Sequence, residues 1–321
     1  MASTVQNPKS ESLSEREAIF RLLTLRSARL SGLFPAPGES FFRYVALNNF
    51  DDKSSKSHKL FETTILRDEL PLTTATRLND PFDVNPTFVN DLLDAEALSW
   101  LEHNDIQVDV NGRRERFNPT RHKVHGPDTV LTDAELSQHV TKILKDGLIK
   151  KLRQDGLASF SKTITSQLMW AHYSEGFQGI AYHFIVGRDP TSVITRLQRM
   201  SYVSQRPLVP LSSVLQFLSR SETTGHEKAL TPDLDFLDTI FLFKSTEWAH
   251  EQEYRIVRFG DSTAHFNANE LASIIIGPNF REEWIPILQE VNLNRQHPLK
   301  LFRAHLSPSN YSIEVDWGRA L

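Results

Sequence analysis

The stretch Trp248-Ala-His-Glu251-Gln-Glu253-Tyr254-Arg255-Ile256-Val257-Arg258 constrains the fold more than any other. Its second half alternates in the way a half-buried strand requires, and an aromatic, apolar run (Phe236, Leu237, Ile240, Phe241, Phe243) precedes it. In a strand, residues two apart share a face. The spacing therefore predicts Glu251 and Glu253 projecting together at the start of a strand, with Arg255 next along that face. Two neighbouring carboxylates repel, and surroundings that resolve the repulsion drive their proton affinities apart and divide their chemical roles. The plain alternative is a solvated strand end in which one glutamate pairs with Arg255.

With 321 residues the chain can bury one large core or two modest ones. A net charge of -4 gives no reason to expect nucleic-acid binding by bulk electrostatics. No apolar run approaches the ~20 residues of a membrane helix, and the N-terminus lacks a signal-peptide core, so no membrane partner is expected and the cytoplasm is the expected compartment. The absence of cysteine excludes disulfides, Cys-ligated zinc and a thiol nucleophile.

Residues 1–40 read as an N-terminal helical extension: Ser14-Glu-Arg-Glu17 has capping-box spacing and Ile19, Leu22, Leu23 and Leu30 form a stripe behind it. Residues 41–321 read as a single α+β domain with a mixed, mostly antiparallel central sheet. The first strand, Phe41-Phe-Arg43-Tyr44-Val45-Ala46-Leu47, sets a charge inside an aromatic run. Desolvating a guanidinium alone is costly, so Arg43 needs an anion or several acceptors, which a bound ligand or a structural carboxylate can supply.

Asn79-Asp80-Pro81-Phe82-Asp83 is turn chemistry that can set Asn79 and Asp83 at the rim of a pocket. A helical insertion is expected at about 86–156. Its first helix runs from Phe88 and Val89 to Leu101, and its second is capped by Thr132-Asp-Ala-Glu135 and stopped at Gly156. The basic stretch from Arg113 to Pro127 between them reads as a surface loop, with nucleic-acid contact as the alternative. Leu157-Ala-Ser159-Phe160-Ser161 is a short strand whose hydroxyls can either orient a ligand or cap the helix that follows. That helix carries Trp170, His172 and Tyr173; His172 reads as a base, a stacking partner or a buried, satisfied imidazole.

Asn79-Asp-Pro-Phe-Asp83, Leu168-Met-Trp170-Ala-His172-Tyr173 followed by Gly179-Ile, the strand Met200-Ser-Tyr202, and Lys244…Trp248-x-x-Glu251-x-Glu253-Tyr254-Arg255 together resemble a large bacterial family. It is known chiefly as a domain of unknown function and is linked in places to abortive-infection genes. A second resemblance, to ADP-ribosyltransferases of the arginine-serine-glutamate class, rests on Arg43, Ser159-Phe-Ser161 and Glu251-Gln-Glu253 occurring in that order. It departs from that class at Phe160, where a threonine is expected.

The second resemblance implies an ADP-ribosyltransferase-like fold and a transferase or NAD glycohydrolase with NAD as its substrate, in a toxin or anti-phage role. It gives Glu253 the ribose, Glu251 activation of a macromolecular acceptor (protein or nucleic acid), Arg43 the dinucleotide phosphates, and Ser159 the orientation of the pocket. Ser161, His172, Tyr173, Asn79 and Trp248 would complete the NAD site. Breaking the nicotinamide–ribose bond builds positive charge on the ribose, which a nearby carboxylate stabilises. Two other classes stand beside it. One is a metal-dependent nuclease built on Asp80 or Asp83 with Glu251 and Glu253. The other is a non-enzymatic sensor or partner-binding module whose recognition pocket is Trp170, His172, Tyr173 and Trp248.

Overall fold

The computed structural model describes residues 34–92, 107–110, 113–118, 123–124, 133–152, 155–216, 240–258 and 260–321. In chain order β1 (Ser40–Val45) leads to α1 (Lys56–Arg67), then β2 (Glu69–Pro71), β3 (Thr73–Thr74) and β4 (Thr87–Val89). A small antiparallel meander follows, β5 (Gln107–Val110), β6 (Arg113–Asn118) and β7 (Lys123–Val124), and then α2 (Asp133–Leu152). Next come β8 (Gly156–Ser161), α3 (Gln167–Tyr173), β9 (Ile180–Ile185), β10 (Gln198–Arg199), β11 (Ser201–Val203) and β12 (Leu208–Pro210). The C-terminal third holds β13 (Phe243–Ser245), β14 (Glu253–Arg258), β15 (Thr263–His265), β16 (Leu271–Ile276), α4 (Ile285–Leu293), β17 (Lys300–Leu306) and β18 (Ile313–Val315).

The α+β class is as expected. One nine-stranded sheet runs β10-β14-β8-β1-β9-β16-β17-β18, with β3 attached to β8. Its pairings are antiparallel except β16–β17. Apolar and aromatic alternation builds these strands. Phe41, Phe160, Tyr182, Phe184, Ile256 and Ile274 lie in one core on one face, with Phe61 and Ile65 of α1 and Leu288 of α4. Phe42, Ala181, Ile275 and Phe302 pack with Trp170 of α3 on the other face. On that same face β8 and β14 present Leu157 and Val257 to Val140, Leu144 and Leu148 of α2.

The seam between β1 and β8 positions the site. The two strands share a single bridge, Phe42 to Ser161, and part beyond it. The edge of β8 opposite β14 is taken up at its other end by β3, through Thr73 to Leu157 and Thr74 to Gly156.

The insertion differs from expectation. Residues 87–89 are a strand paired in parallel with β12, and the basic stretch contributes β6 and β7 instead of a loop. Val108 and Val110 already alternate, and Asn111-Gly112 between β5 and β6 is the dipeptide that most favours a hairpin. Gly156 does not stop a helix, because α2 ends at Leu152. It opens β8, where an added Cβ would lie 2.2 Å from the Asp261 carbonyl oxygen. The first helix expected in the insertion falls mostly outside the described residues, as does most of the 1–40 extension. Among the described residues no helix is long and apolar enough to cross a membrane.

Candidate functional site

A cavity of about 240 Å³ lies where β1 and β8 part. Its walls are Phe42, Arg43 and Tyr44 of β1, Ser159, Phe160 and Ser161 of β8, Tyr173 of α3, and Glu253 and Arg255 of β14. Arg77, Asn79, Asp80 and Asp83 enter from the turn after β3, and Lys244 and Glu251 from the segment before β14.

Register explains the charge in its wall. Glu253 pairs with Ser161 and Arg255 with Ser159, so all four side chains share the face that Phe42 also occupies. The Arg255 guanidinium, fully buried, gives Nε and Nη2 to Glu253 Oε1 at 3.0 and 2.8 Å. It also grips both oxygens of Asp83 at 2.9 and 2.8 Å and the Phe241 carbonyl at 2.8 Å. Lys244 Nζ donates to Glu251 Oε2 and lies 3.2 Å from Glu253 Oε2 and 3.9 Å from Asp83 Oδ2.

Glu251 is not in the strand. It closes a 3-10 helix (Thr246–Glu251), and Gln252 follows at φ 45°, a left-handed conformation that breaks the alternation. The two carboxylates nevertheless meet, because Lys244 reaches both. Glu251 also accepts from the Tyr173 hydroxyl, while its own carbonyl accepts from Ser161 Oγ at 2.6 Å. The backbone turn is thus pinned from β8.

The surroundings drive the two glutamates apart. Burial alone would raise Glu253, but Arg255, Lys244 and a hydrogen bond from Ser159 outweigh it and hold the carboxylate at about 2. Burial dominates at Glu251; with the repulsion of Glu253 it leaves this carboxyl above its usual range, although Lys244 and Tyr173 pull it down. Burial would lower the Lys244 ammonium, yet Glu253, Glu251 and Asp83 together raise it. The arrangement fixes one carboxylate as a permanent anion and leaves the other able to exchange a proton nearer neutrality.

The transferase resemblance expects Arg43, Ser159 and Glu253 to converge on one face of the sheet. Arg43 does not meet that expectation, which counts against its part in such a site. Phe42 shares the face of Ser161 and Glu253, so Arg43 leaves β1 on the opposite side. Its Nη2 donates to the Pro71 carbonyl at 2.8 Å and its guanidinium lies 5.7 Å from the Phe160 ring centroid. Among the described residues no carboxylate pairs with it; burial lowers its pKa to about 10, still cationic at neutral pH. It is among the residues that line the cavity, while its guanidinium is engaged on the face opposite Glu253.

Asn79 is exposed at the rim, and Ser159, Ser161 and Tyr173 line the wall. Two expected residues do not join them. His172 is exposed, not a buried, satisfied imidazole, because the short helix α3 turns Met169 and Trp170 inward instead. Trp248 lies outside the cavity wall, its ring centroid 4.9 Å from Lys244 Nζ. Trp170 is fully buried with its indole nitrogen on the Ile164 carbonyl at 2.8 Å, so the three aromatics and the histidine of the sensor reading do not form one pocket. Lys244, Arg77 and the grip of Arg255 on Asp83 are what sequence reasoning missed. The signal for Lys244 was present only as one position of a motif.

Compared with known protein families, curated proteins and solved structures, the chain matches none.

Proposed function

We propose that the chain is an ADP-ribosyltransferase-like enzyme that takes NAD as its substrate. The observation that carries the reading is the pair Glu251 and Glu253, held on one ammonium at a cavity wall with their proton affinities driven in opposite directions. Support also comes from the sheet: the strands bearing Glu253 and Ser159, β14 and β8, are neighbours and set both side chains on one face, whereas Arg43 on β1 projects from the other. The cavity's volume is below the ~300–1,000 Å³ of sites that enclose whole drug-sized ligands. It suits the nicotinamide end of a dinucleotide, with aromatic walls from Phe42, Tyr44, Phe160 and Tyr173.

In this mechanism the bond between ribose C1′ and the nicotinamide nitrogen breaks, its electron pair passes to the ring, and neutral nicotinamide leaves. Glu253 stabilises the positive charge left on the ribose without itself changing protonation. Glu251 takes the proton from the attacking acceptor, or from water in the hydrolytic reaction. Ser159, hydrogen-bonded to Glu253, keeps that carboxylate aimed. Arg43, which leaves the sheet on the opposite face, takes no phosphate role in this mechanism. The acceptor is a macromolecule, protein or nucleic acid, and a toxin or anti-phage effector is the role such chemistry serves.

The nuclease reading loses ground because Asp83, Glu251 and Glu253 already face Lys244 and Arg255, whose charges stand where a metal ion would be needed. The test is nicotinamide release from NAD by the wild type and by Glu253→Gln and Glu251→Gln, with and without an acceptor library. Release that survives Glu253→Gln unchanged would remove that carboxylate from the chemistry. No release under any condition would leave the partner-binding module as the better account.

A further inference from the structure

The segment Met200-Ser-Tyr202 carries part of the sequence resemblance, yet none of its residues lines the cavity. Its course beside β14 gives it a task. The ladder between β10 and β14 ends with Arg199 opposite Tyr254, and the Met200 amide still donates to the Glu253 carbonyl at 3.0 Å. There the chain turns away: the Ser201 amide goes to the Leu242 carbonyl at 2.7 Å, and β11 pairs with β13 instead. A continuing antiparallel ladder would offer the Glu253 N–H a carbonyl on this edge, and the departure removes it. The Tyr202 hydroxyl takes that place and accepts the N–H at 2.8 Å.

The bond fixes the peptide between Gln252 and Glu253, on which the position of Glu251 depends. Glu253 is held by the strand itself, through its pairing with Ser161 and the grip of Arg255. Glu251 lies outside the strand, and Gln252 must keep a costly left-handed conformation to bring it back. Three more bonds hold this turn. Ser161 Oγ donates to the Glu251 carbonyl at 2.6 Å, the Lys162 amide to the Gln252 carbonyl at 3.1 Å, and the Gln252 amide to the Ala249 carbonyl at 3.2 Å. Tyr202 closes the set from the edge of β14 opposite β8. Its partner in register across β11 and β13 is Lys244. One small parallel sheet thus supplies a hydroxyl for the backbone of the turn and an ammonium for its two carboxylates.

We propose that Tyr202 is a positioning residue for Glu251. On the transferase reading, on which this inference rests, it keeps the carboxyl that receives the attacking group's proton seated on Lys244 beside Glu253. Standing outside the cavity wall, it acts through the turn and not on the substrate.

Turnover of NAD with water as the acceptor, read as nicotinamide released per folded molecule, tests this in the wild type, Tyr202→Phe, Glu251→Gln and the double variant. Phenylalanine keeps the ring that packs beside the α2 core and removes only the hydroxyl. In Tyr202→Phe kcat is expected to fall roughly 10-fold with the KM for NAD unmoved, on the scale that small misplacement of a catalytic group costs. Where Glu251 is already glutamine, the same change should cost about 2-fold or less, because its effect runs through that carboxyl. An equal loss in both backgrounds, a matching rise in KM, or an unchanged kcat overturns the proposal. Hydrogen exchange on the wild type needs no variant to fold. The Glu253 amide should exchange as slowly as the ladder amides of β14, and exchange at the rate of an open loop overturns the contact itself. A wild type that releases no nicotinamide overturns the transferase reading, and the positioning role with it, even where that amide proves slow.

Discussion

One face of the central sheet behaves in two ways. From β1 toward β18 it carries Phe42, Ala181, Ile275, Phe302 and Ala304, packed under Trp170, with His183 set between Ser40 and Ser273. From β1 toward β10 the same face carries Ser159, Ser161, Glu253 and Arg255 around a cavity. Each half holds a titratable group in a partly desolvated place, and the partners decide its state. Hydroxyls and the stacked Phe42 ring offer His183 no anion, and burial lowers it to about 4, keeping it neutral. Cations surround Glu253 and keep it charged. Burial is therefore a poor guide to chemistry; the charge of the neighbours and an adjoining empty volume separate a working group from a packed one.

The largest expected effect lies on the charged half. Glu253→Gln should slow nicotinamide release by about 10²–10³, with much less change in NAD affinity, since the lost charge matters mainly in the transition state. The matching experiment on the packed half is Phe302→Ala. It should cost about 3–5 kcal/mol of stability by leaving a cavity, read by denaturant unfolding, while the turnover of the folded fraction is kept. A large drop in intrinsic turnover there would break the contrast between the halves.

Lys244→Met sharpens the contrast further. Lys244 lowers the proton affinity of Glu251, so its loss should raise that carboxyl and move the rising limb of transfer activity to higher pH. A pH profile of transfer with an unmoved limb would show that Glu251 is not the proton acceptor.

The smallest effect is on acid stability, and each half has its own window. Folded His183 resists protonation until about 4, whereas an ordinary imidazole titrates at 6.5, so its contribution is complete above 6.5 and lost as pH falls to about 4. Glu253 shifts from 4.5 to about 2, so its contribution is complete above 4.5 and lost as pH falls toward 2. Glu251, raised above 4.5, works in the opposite sense over a range that lies above 4.5, and so offsets part of the first loss. His183→Gln should flatten the first window and leave the second, which urea titrations across pH would reveal.

Much of this was readable in the residues, and the failures have physical reasons. Period-two alternation placed Glu253 and Arg255 on one face correctly, because a strand leaves no other choice. Glu251 was misplaced because Gln252 takes a left-handed turn, which glutamine does not announce. Arg43 was legible only as a charge inside an aromatic run; the face it leaves from relative to Glu253 depends on the pairing of β1 with β8 and β8 with β14, strands far apart in the chain. Lys244 gains its meaning only when β13 lies beside Glu251. His172 was misjudged because a helix as short as α3 has room to bury only part of its Met-Trp-Ala-His-Tyr run. The pairing of β5 with β6 was missed because the arginines from Arg113 on read as a surface loop.

The parted seam has a mechanical consequence. A strand edge facing another strand tends to zip, each added rung making the next easier, and β1 and β8 stop after their first rung. Beyond the gap the same edge of β8 is taken by β3, two threonines paired with Leu157 and Gly156. The cavity thus sits between two clamps of the fold's own backbone, the one rung to β1 and the two to β3. Deleting Thr73 and Thr74 should free that end of β8, seen as faster hydrogen exchange there, and loosen the wall of the site.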